Sequence, residues 1–295
     1  AVILGGPQTG QDFCSLPFDH LLFTGATSIG KHVLHAAADN LVPVTLELGG
    51  KSPTILGRSA DVAKAAERIA LGKMMNAGQI CLAPDYMLVP EELEHKAIGA
   101  VQASVAQMYP TLLANDDYTS VINRRHRDRL AGLVDDAVAK GAEAIVVNPG
   151  NENFEGSNGN KLPLTILRNV SDDMKVMQDE IFGPVLSVVR AGNFDEALSL
   201  PDDHEFGNGV AVFTRNGDVA RNFANKVQCG MVGVNVPIPV PVAYHSFGGW
   251  KQSLFGDAHI HGMEGVRFNT RLKTITTRWP DPATSSVDLG FPRTR

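Results

Sequence analysis

Cysteine is scarce: three residues in 295, at Cys14, Cys81 and Cys229. They are too few and too far apart for a disulfide framework or a cysteine metal centre. Free thiols suit a reducing compartment, so a cytoplasmic protein is expected. Long apolar runs are missing as well. Charges or turn residues interrupt each one short of membrane-spanning length, and no membrane partner is expected. There is no basic block, and the formal net charge is −6, which argues against a nucleic-acid partner. The nine histidines show no ligand spacing, so no metal is expected. An initiator methionine is absent too. Ala1 to Gly6 reads as a strand running into a turn, without a leader, as if the chain began inside something larger.

What is present is the composition of a globular protein of one or two domains, 43% hydrophobic and 20% charged. Strand-like and helix-like stretches alternate. Phe18 to Gly25 is an apolar run ending in glycine, and a helix pattern follows in which Thr27 or Ser28 is placed to cap. This βα unit either holds a phosphate at its turn or is plain packing; two glycines, Gly25 and Gly30, do not decide. Val42 to Leu48 reads as a strand, Ala60 to Met75 as a helix with Asp61 in its first turn, and Tyr86 to Val89 as a strand. A helix follows from Pro90 to about Gln107.

Further on, Val121 to Ala139 is helical, and its Arg124, Arg125, Arg127 and Arg129 read as a solvated face. Residues 148 to 161 read as a surface loop with nothing to bury. Strands are expected at Gly141 to Val147, Leu162 to Leu167, Val185 to Arg190, Val210 to Thr214 and Met231 to Val236. Short helices are expected at Asp195 to Leu198 and Gly217 to Val227. The βαβ order favours a parallel sheet. Pro237 to Pro241 is too proline-rich for a central strand. Gly265 to Trp279, rich in Thr, Val and Ile, reads as an edge strand or one donated to a partner.

Chemistry concentrates between Val44 and Pro84. Glu47 ends a strand before Gly49-Gly50, whose freedom allows a tight course. Cys81 follows a helical run that ends in Ala77-Gly78-Gln79. A thiol and a carboxylate on two arms can serve as nucleophile and as base for activating water. Chemistry alone leaves a small buried hydrophobe as the commoner fate of such a cysteine.

The strings L-E-L-G-G-K-S-P (46–53), G-Q-I-C (78–81) and E-I-F-G-P (180–184), in that order, resemble the aldehyde dehydrogenase family. The resemblance implies an α/β fold: a partial Rossmann-like cofactor domain plus an α/β catalytic domain. The corresponding spans are 1–48 for the remnant of the dinucleotide domain, 49–245 for the catalytic domain, and 246–295 for a returning loop and oligomerisation strand. It implies NAD or NADP as cofactor and a small-molecule aldehyde as substrate, oxidised to the acid through a thioester on Cys81. Glu47 would activate the hydrolytic water. Gly25, Gly30, Ser28, Leu48, Glu180 and Phe182 are implied as cofactor contacts, with Glu180 at the nicotinamide-side ribose and Phe182 beside the nicotinamide. The Cys81 N–H would serve the oxyanion; the family's other donor is an asparagine ahead of the residues present here, which Asn76 does not match. Phe247, Gly248 and Gly249 match a loop at the substrate mouth, and Asn235 a structural asparagine. Cys14 and Cys229 match nothing catalytic and are expected to be buried.

Within the family the two ends differ. Residues 18–195 resemble coniferyl aldehyde dehydrogenases, and 207–291 resemble methylmalonate-semialdehyde dehydrogenases. The join falls near Leu200-Pro201-Asp202-Asp203, where polar residues replace an apolar helix end. Aldehyde oxidation to the free acid, on an aromatic aldehyde, is therefore the first expectation. A CoA-acylating enzyme is the alternative, disfavoured by Ile80 where that group carries arginine. A third is an inactive truncated module that oligomerises. A homodimer or homotetramer is expected by resemblance.

Overall fold

The computed structural model describes residues 1–154, 157 and 159–279. In chain order, α1 (Pro7–Cys14), β1 (Leu21–Thr24), α2 (Thr27–Ala38) and β2 (Val44–Glu47) lead into β3 (Pro53–Leu56), α3 (Val62–Met74) and β4 (Tyr86–Val89). Then come α4 (Glu94–Met108), α5 (Arg124–Ala139), β5 (Glu143–Val147), β6 (Leu164–Arg168), α6 (Lys175–Gln178) and β7 (Val185–Arg190). The remaining elements are α7 (Phe194–Asp203), β8 (Phe206–Gly207), β9 (Gly209–Phe213), α8 (Gly217–Lys226), β10 (Met231–Val234), β11 (Trp250–Lys251), β12 (Leu254–Phe255) and α9 (Gly262–Phe268).

A seven-stranded sheet runs β10-β9-β3-β4-β7-β6-β5, parallel except that β5 pairs antiparallel with β6. Its central strands β3, β4 and β9 are buried at every residue, as expected where helices cover both faces. Successive side chains enter opposite layers. Met87, Val89, Ala211 and Phe213 meet α3 and α4 on one face, while Tyr86, Leu88, Val210 and Val212 meet α5 and α8 on the other. Edge strand β5 turns Glu143 and Ala144 to solvent.

The α3 stripe shows how sequence builds this core. Val62, Ala65, Ala66, Ile69 and Ala70 recur at helical spacing and are buried. Burying a side chain such as Ile69 contributes roughly 1.5–3 kcal/mol. Asp61 stands one step outside the helix as its N-cap, accepting from Lys64 N at 3.2 Å, not within the first turn. A second sheet, β1-β2-β12, pairs β1 and β2 in parallel, and β12 returns antiparallel along β2. The late segment thus closes over Glu47: Leu254 lies opposite it in register.

Several expectations are corrected. Ala1–Gly6 forms no strand, and the helix begins at Pro7, where proline suits the first turn. The edge-strand reading of Gly265–Trp279 is corrected at its start, which α9 takes; 271–279 is exposed and joins no strand of its own chain, which leaves it free for the alternative of a strand donated to a partner. β-branched residues favour strand only where a ladder exists to join. Strand β3 lies where a strand was not read, because Lys51, Ser52 and Pro53 mask it. Proline is tolerated at the first residue of a strand. Phe154 of the 148–161 loop packs onto the core instead of having nothing to bury.

The polar end of α7 has its own logic. The helix continues through buried Pro201 to Asp203, beyond the expected Leu198. Lys251 Nζ donates to the carbonyls of Pro201, Asp202 and His204 at 3.1, 2.7 and 2.9 Å, and Asp202 accepts from Gln228 N at 2.7 Å. A cation on terminal carbonyls stabilises a helix end.

Candidate functional site

The chemistry gathers where chain enters the parallel strands, at their N-terminal ends: residues 50–52 before β3, 81–85 before β4, 180–184 before β7 and Asn208 before β9. Cys81 reaches this place through an unusual loop. After α3, Asn76, Ala77 and Gly78 take left-handed φ values of 50°, 52° and 73°. At Gly78 a Cβ would lie 2.4 Å from the Gly183 carbonyl oxygen, so the close approach requires glycine. Gln79 locks the turn: its Nε2 donates to the Asn76 and Ser120 carbonyls, each at 3.0 Å, and its Oε1 accepts from Ile122 N at 2.9 Å.

Half-buried, Cys81 has its thiol pKa raised by burial, and further by the negative charges of Glu180 and Glu47. Glu47 ends β2, is 4% exposed, and has a pKa pushed up to about 7 by burial. Its Oε1 has no hydrogen-bond partner among the described residues. Gly248 lies directly against it: a Cβ there would come 3.2 Å from that oxygen and 2.5 Å from Leu254 Cδ1.

Glu180 folds over the Gly49-Gly50 turn, accepting from Gly50 N at 3.0 Å. Burial and nearby Asp85 raise its pKa to about 7, against the opposing pull of the Gly50 N–H, Lys51 and Arg129. A Cβ on Gly49 would meet Glu180 Oε2 at 2.8 Å and Thr27 Oγ1 at 3.5 Å, so the carboxylate and the start of α2 share one space. Thr27 and Ser28 do not cap α2. The N-cap is Ala26, so the helix terminus has no side-chain cap, and Thr27 Oγ1 is buried without a partner among the described residues. Unsatisfied amides at a helix N-terminus and an orphan hydroxyl beside a carboxylate fit the phosphate and ribose of a dinucleotide. Gly30 leaves room for Leu48, whose Cδ2 would stand 2.6 Å from an added Cβ, and Gly25 N donates to the Glu47 carbonyl at 3.1 Å. Phe182 is half-buried with φ 49°, in the same turn as Glu180.

Sequence reasoning missed what lies beneath. Asp85, 3% exposed, sits between two fully buried lysines, with Lys51 Nζ at 3.3 Å and Lys73 Nζ at 3.4 Å. It also accepts from Ile181 N at 2.9 Å, which ties the cysteine segment to the Glu180 turn. Burial lowers both lysines, Lys73 to about 8, while Asp85 holds them up. Lys73 continues the buried α3 stripe and was not singled out in the sequence. Arg129 is also corrected: rather than solvated, it is partly buried and donates to the Glu180 and Ile181 carbonyls. Asn208, 2% exposed, was not singled out at all.

The other assignments separate from the site. Asn235 clasps Thr214, accepting from its N at 3.0 Å and donating to its carbonyl at 3.1 Å. Cys229 is buried, its thiol raised to about 11 by burial. Cys14 is not buried; it lies partly exposed at the end of α1. No cluster of three or more His, Cys, Asp or Glu able to hold a metal occurs among the described residues. No helix there is long and apolar enough to cross a membrane.

A thiol presented by a left-handed loop, a buried carboxylate and an uncapped βα turn stand together in an α/β fold. The chain belongs to the aldehyde dehydrogenase family, whose model matches residues 1–275. It is 43% identical over 279 residues to the coniferyl aldehyde dehydrogenase of a Pseudomonas species, covering 94% of this chain and 58% of that one. Among solved structures, it superposes on the methylmalonate-semialdehyde dehydrogenase of Oceanimonas doudoroffii with a TM-score of 0.86 at 33% identity, covering 94% of this chain and 58% of the other. The betaine aldehyde dehydrogenase of Staphylococcus aureus, in complex with NAD+, matches at 0.81 and 30%, covering 90% and 53%. The chain thus spans little more than half the length of these relatives.

Proposed function

We propose that this chain carries the catalytic half of an NAD(P)+-dependent aldehyde dehydrogenase that releases a free acid. The observation that carries the reading is that the Gly49-Gly50 turn after Glu47 abuts both Glu180 and the Cys81 segment: a Cβ on Gly49 would lie 2.8 Å from Glu180 Oε2 and one on Gly50 2.7 Å from the Cys81 carbonyl oxygen. Cys81, once deprotonated, attacks the aldehyde carbon. The bound NAD or NADP supplies the hydride acceptor, leaving a thioester on the cysteine. Glu47, poised near neutrality, takes a proton from water as that water attacks the thioester. The Cys81 N–H serves the developing oxyanion. Gly25, Gly30, Ser28, Leu48, Thr27, Glu180 and Phe182 line the place for the cofactor, the uncapped α2 terminus taking its phosphates.

The likeness to the coniferyl enzyme favours an aromatic aldehyde. The structural match to a methylmalonate-semialdehyde dehydrogenase, together with the resemblance of residues 207–291, supports acyl transfer to CoA as a second reading. Segments 1–48, 49–245 and 246–295 serve as cofactor, catalytic and return segments of a cytoplasmic homodimer or homotetramer. The test is NADH formation by the purified chain with NAD+ and an aromatic aldehyde, beside Cys81→Ser. Production that the substitution abolishes upholds the reading, and production that requires CoA and yields acyl-CoA selects the second. A folded chain that binds no cofactor and makes no NADH sinks both.

A further inference from the structure

Asn208 is buried to 98% of its surface, yet neither its Nδ2 nor its Oδ1 has a hydrogen-bond partner among the described residues. Such an amide carries an uncompensated desolvation penalty, so it calls for an explanation. Its surroundings supply one. Asn208 stands between β8 and β9, pinned by Met231 N donating to its carbonyl at 3.1 Å and by the β8–β11 pairing next to it. The side chain points into a space left by two glycines. A Cβ on Gly50 would lie 3.4 Å from Asn208 Nδ2 and 2.7 Å from the Cys81 carbonyl oxygen; one on Gly249 would lie 3.0 Å from Asn208 Oδ1. The amide therefore faces the cysteine turn across a backbone that carries no side chain.

We infer that Asn208 is a further catalytic residue, whose amide N–H donates to the Cys81 sulfur when the thiol ionises. This rests on the reading of Cys81 as nucleophile. The proton leaving sulfur passes to the Glu47 carboxylate, the sulfur lone pair forms the C–S bond as the carbonyl π pair moves onto oxygen, and Glu47 releases the proton to solvent before it activates water. Asn208 gives up no proton; it stabilises charge only. In the resting enzyme the thiol is neutral and a poor partner, which accounts for the orphaned amide. The groups acting on the sulfur otherwise oppose ionisation: Glu180 from the turn before β7, Glu47 from β2, and burial itself. Asn208 and the Cys81 backbone N–H pull the other way.

The test measures the rate of Cys81 alkylation by iodoacetamide against pH, with the site assigned by peptide mass spectrometry, alongside thermal melting. It compares the intact chain with Asn208→Leu and with Asn208→Asp, which keeps the shape and removes the donor. In both variants the alkylation midpoint is expected to rise by about one pH unit or more, lowering the rate at pH 8 by about tenfold. Asn208→Leu is also expected to melt at or above the wild-type temperature, because two unpaired polar atoms are gone. A residue serving structure alone predicts the reverse, a lower melting temperature with an unmoved midpoint, and that result overturns the inference. If the leucine variant does not fold, an unmoved midpoint in Asn208→Asp is equally decisive against it. A wild-type Cys81 that alkylates nowhere between pH 6 and 10 removes the nucleophile and the inference with it. Normal alkylation with the predicted shifts, but no NADH formation, upholds the role of Asn208 and overturns the dehydrogenase reading instead.

Discussion

The two ends of the seven-stranded sheet are built to opposite specifications. At the C-terminal ends of β3, β4, β7 and β9 there is a crevice of about 260 Å³, with Ser59, Pro90, Asn193, Thr214 and Asn216 among its lining. Its polar groups are all spoken for. Ser59 Oγ and Thr214 Oγ1 share a hydrogen bond at 2.8 Å, Asn193 caps α7, Asn216 caps α8, and Arg58 pairs with Glu92. At the N-terminal ends, two lysines share one carboxylate and the Asn208 side-chain amide has no partner among the described residues; the same lack of a partner holds for Glu47 Oε1 at the end of β2. Open α/β sheets usually bind ligands at the C-terminal ends of their strands. Here the unsatisfied and charged groups gather at the other end, and it is this unmet polar capacity, rather than topology or cavity, on which the proposed site rests.

The sharpest way to break this contrast is at Asp85. Removing one partner of a buried ion cluster leaves uncompensated charge, so Asp85→Asn is expected to cost about 3–5 kcal/mol in urea unfolding. It also leaves one acceptor oxygen where two serve Ile181 N and both lysines, and should loosen the Glu180 turn. A loss below about 1 kcal/mol would mean the cluster is wetter than its burial indicates.

Glu47→Gln should lower steady-state NADH formation by about 10²–10³-fold, the usual range for a positioned general base. Its effect on stability has the opposite sign. A carboxyl held at about 7 in the fold and near 4.5 unfolded binds more protons when folded. Its contribution is present at low pH and is lost as pH rises from about 4.5 through 7. The glutamine variant should therefore melt higher than wild type at pH 8 and show no such advantage at pH 4.5. A variant destabilised at pH 8 would show that Glu47 is not desolvated as described. Gly78→Ala comes next, at about 1–3 kcal/mol from its left-handed φ alone, with more from the clash at Gly183. It should slow Cys81 alkylation as well, because the loop that presents the thiol must shift.

How far this division was legible in the sequence differs by residue. Glu47, Cys81 and Glu180 stand in strings of specific order, and the Gly49-Gly50 turn that follows Glu47 abuts both the Cys81 segment and Glu180. Lys73 was hidden because it occupies the heptad of an apolar stripe, where only its partner Asp85, 12 residues on, explains a charge. Asn208 sits in F-G-N-G-V, and a polar residue entering an otherwise apolar strand was the available signal. Strand β3 was unreadable because its pairing to β4 and β9 is long-range, while its first residue is proline. The start of Gly265–Trp279 shows the converse: residues read as strand from their β-rich composition lie in α9, because composition names no edge within the chain to pair with.

The smallest expected effect tests whether the two ends are independent. Asn216 accepts from Asp218 N at 2.9 Å and Val219 N at 3.3 Å, a helix cap whose loss typically costs about 1 kcal/mol. Asn216→Ala should lower stability by that amount and leave the Cys81 alkylation midpoint where it was. The reason lies in the sheet: β9, all five residues buried, separates Asn216 from Asn208, and a packed strand transmits a lost cap poorly. Set beside Asn208→Leu, which should move the midpoint without loss of stability, it makes a crossed pair on one strand. One end would then be seen to hold the fold and the other the chemistry. An alkylation midpoint that shifts in Asn216→Ala would show that β9 itself moves, and that the contrast between its ends is one of degree.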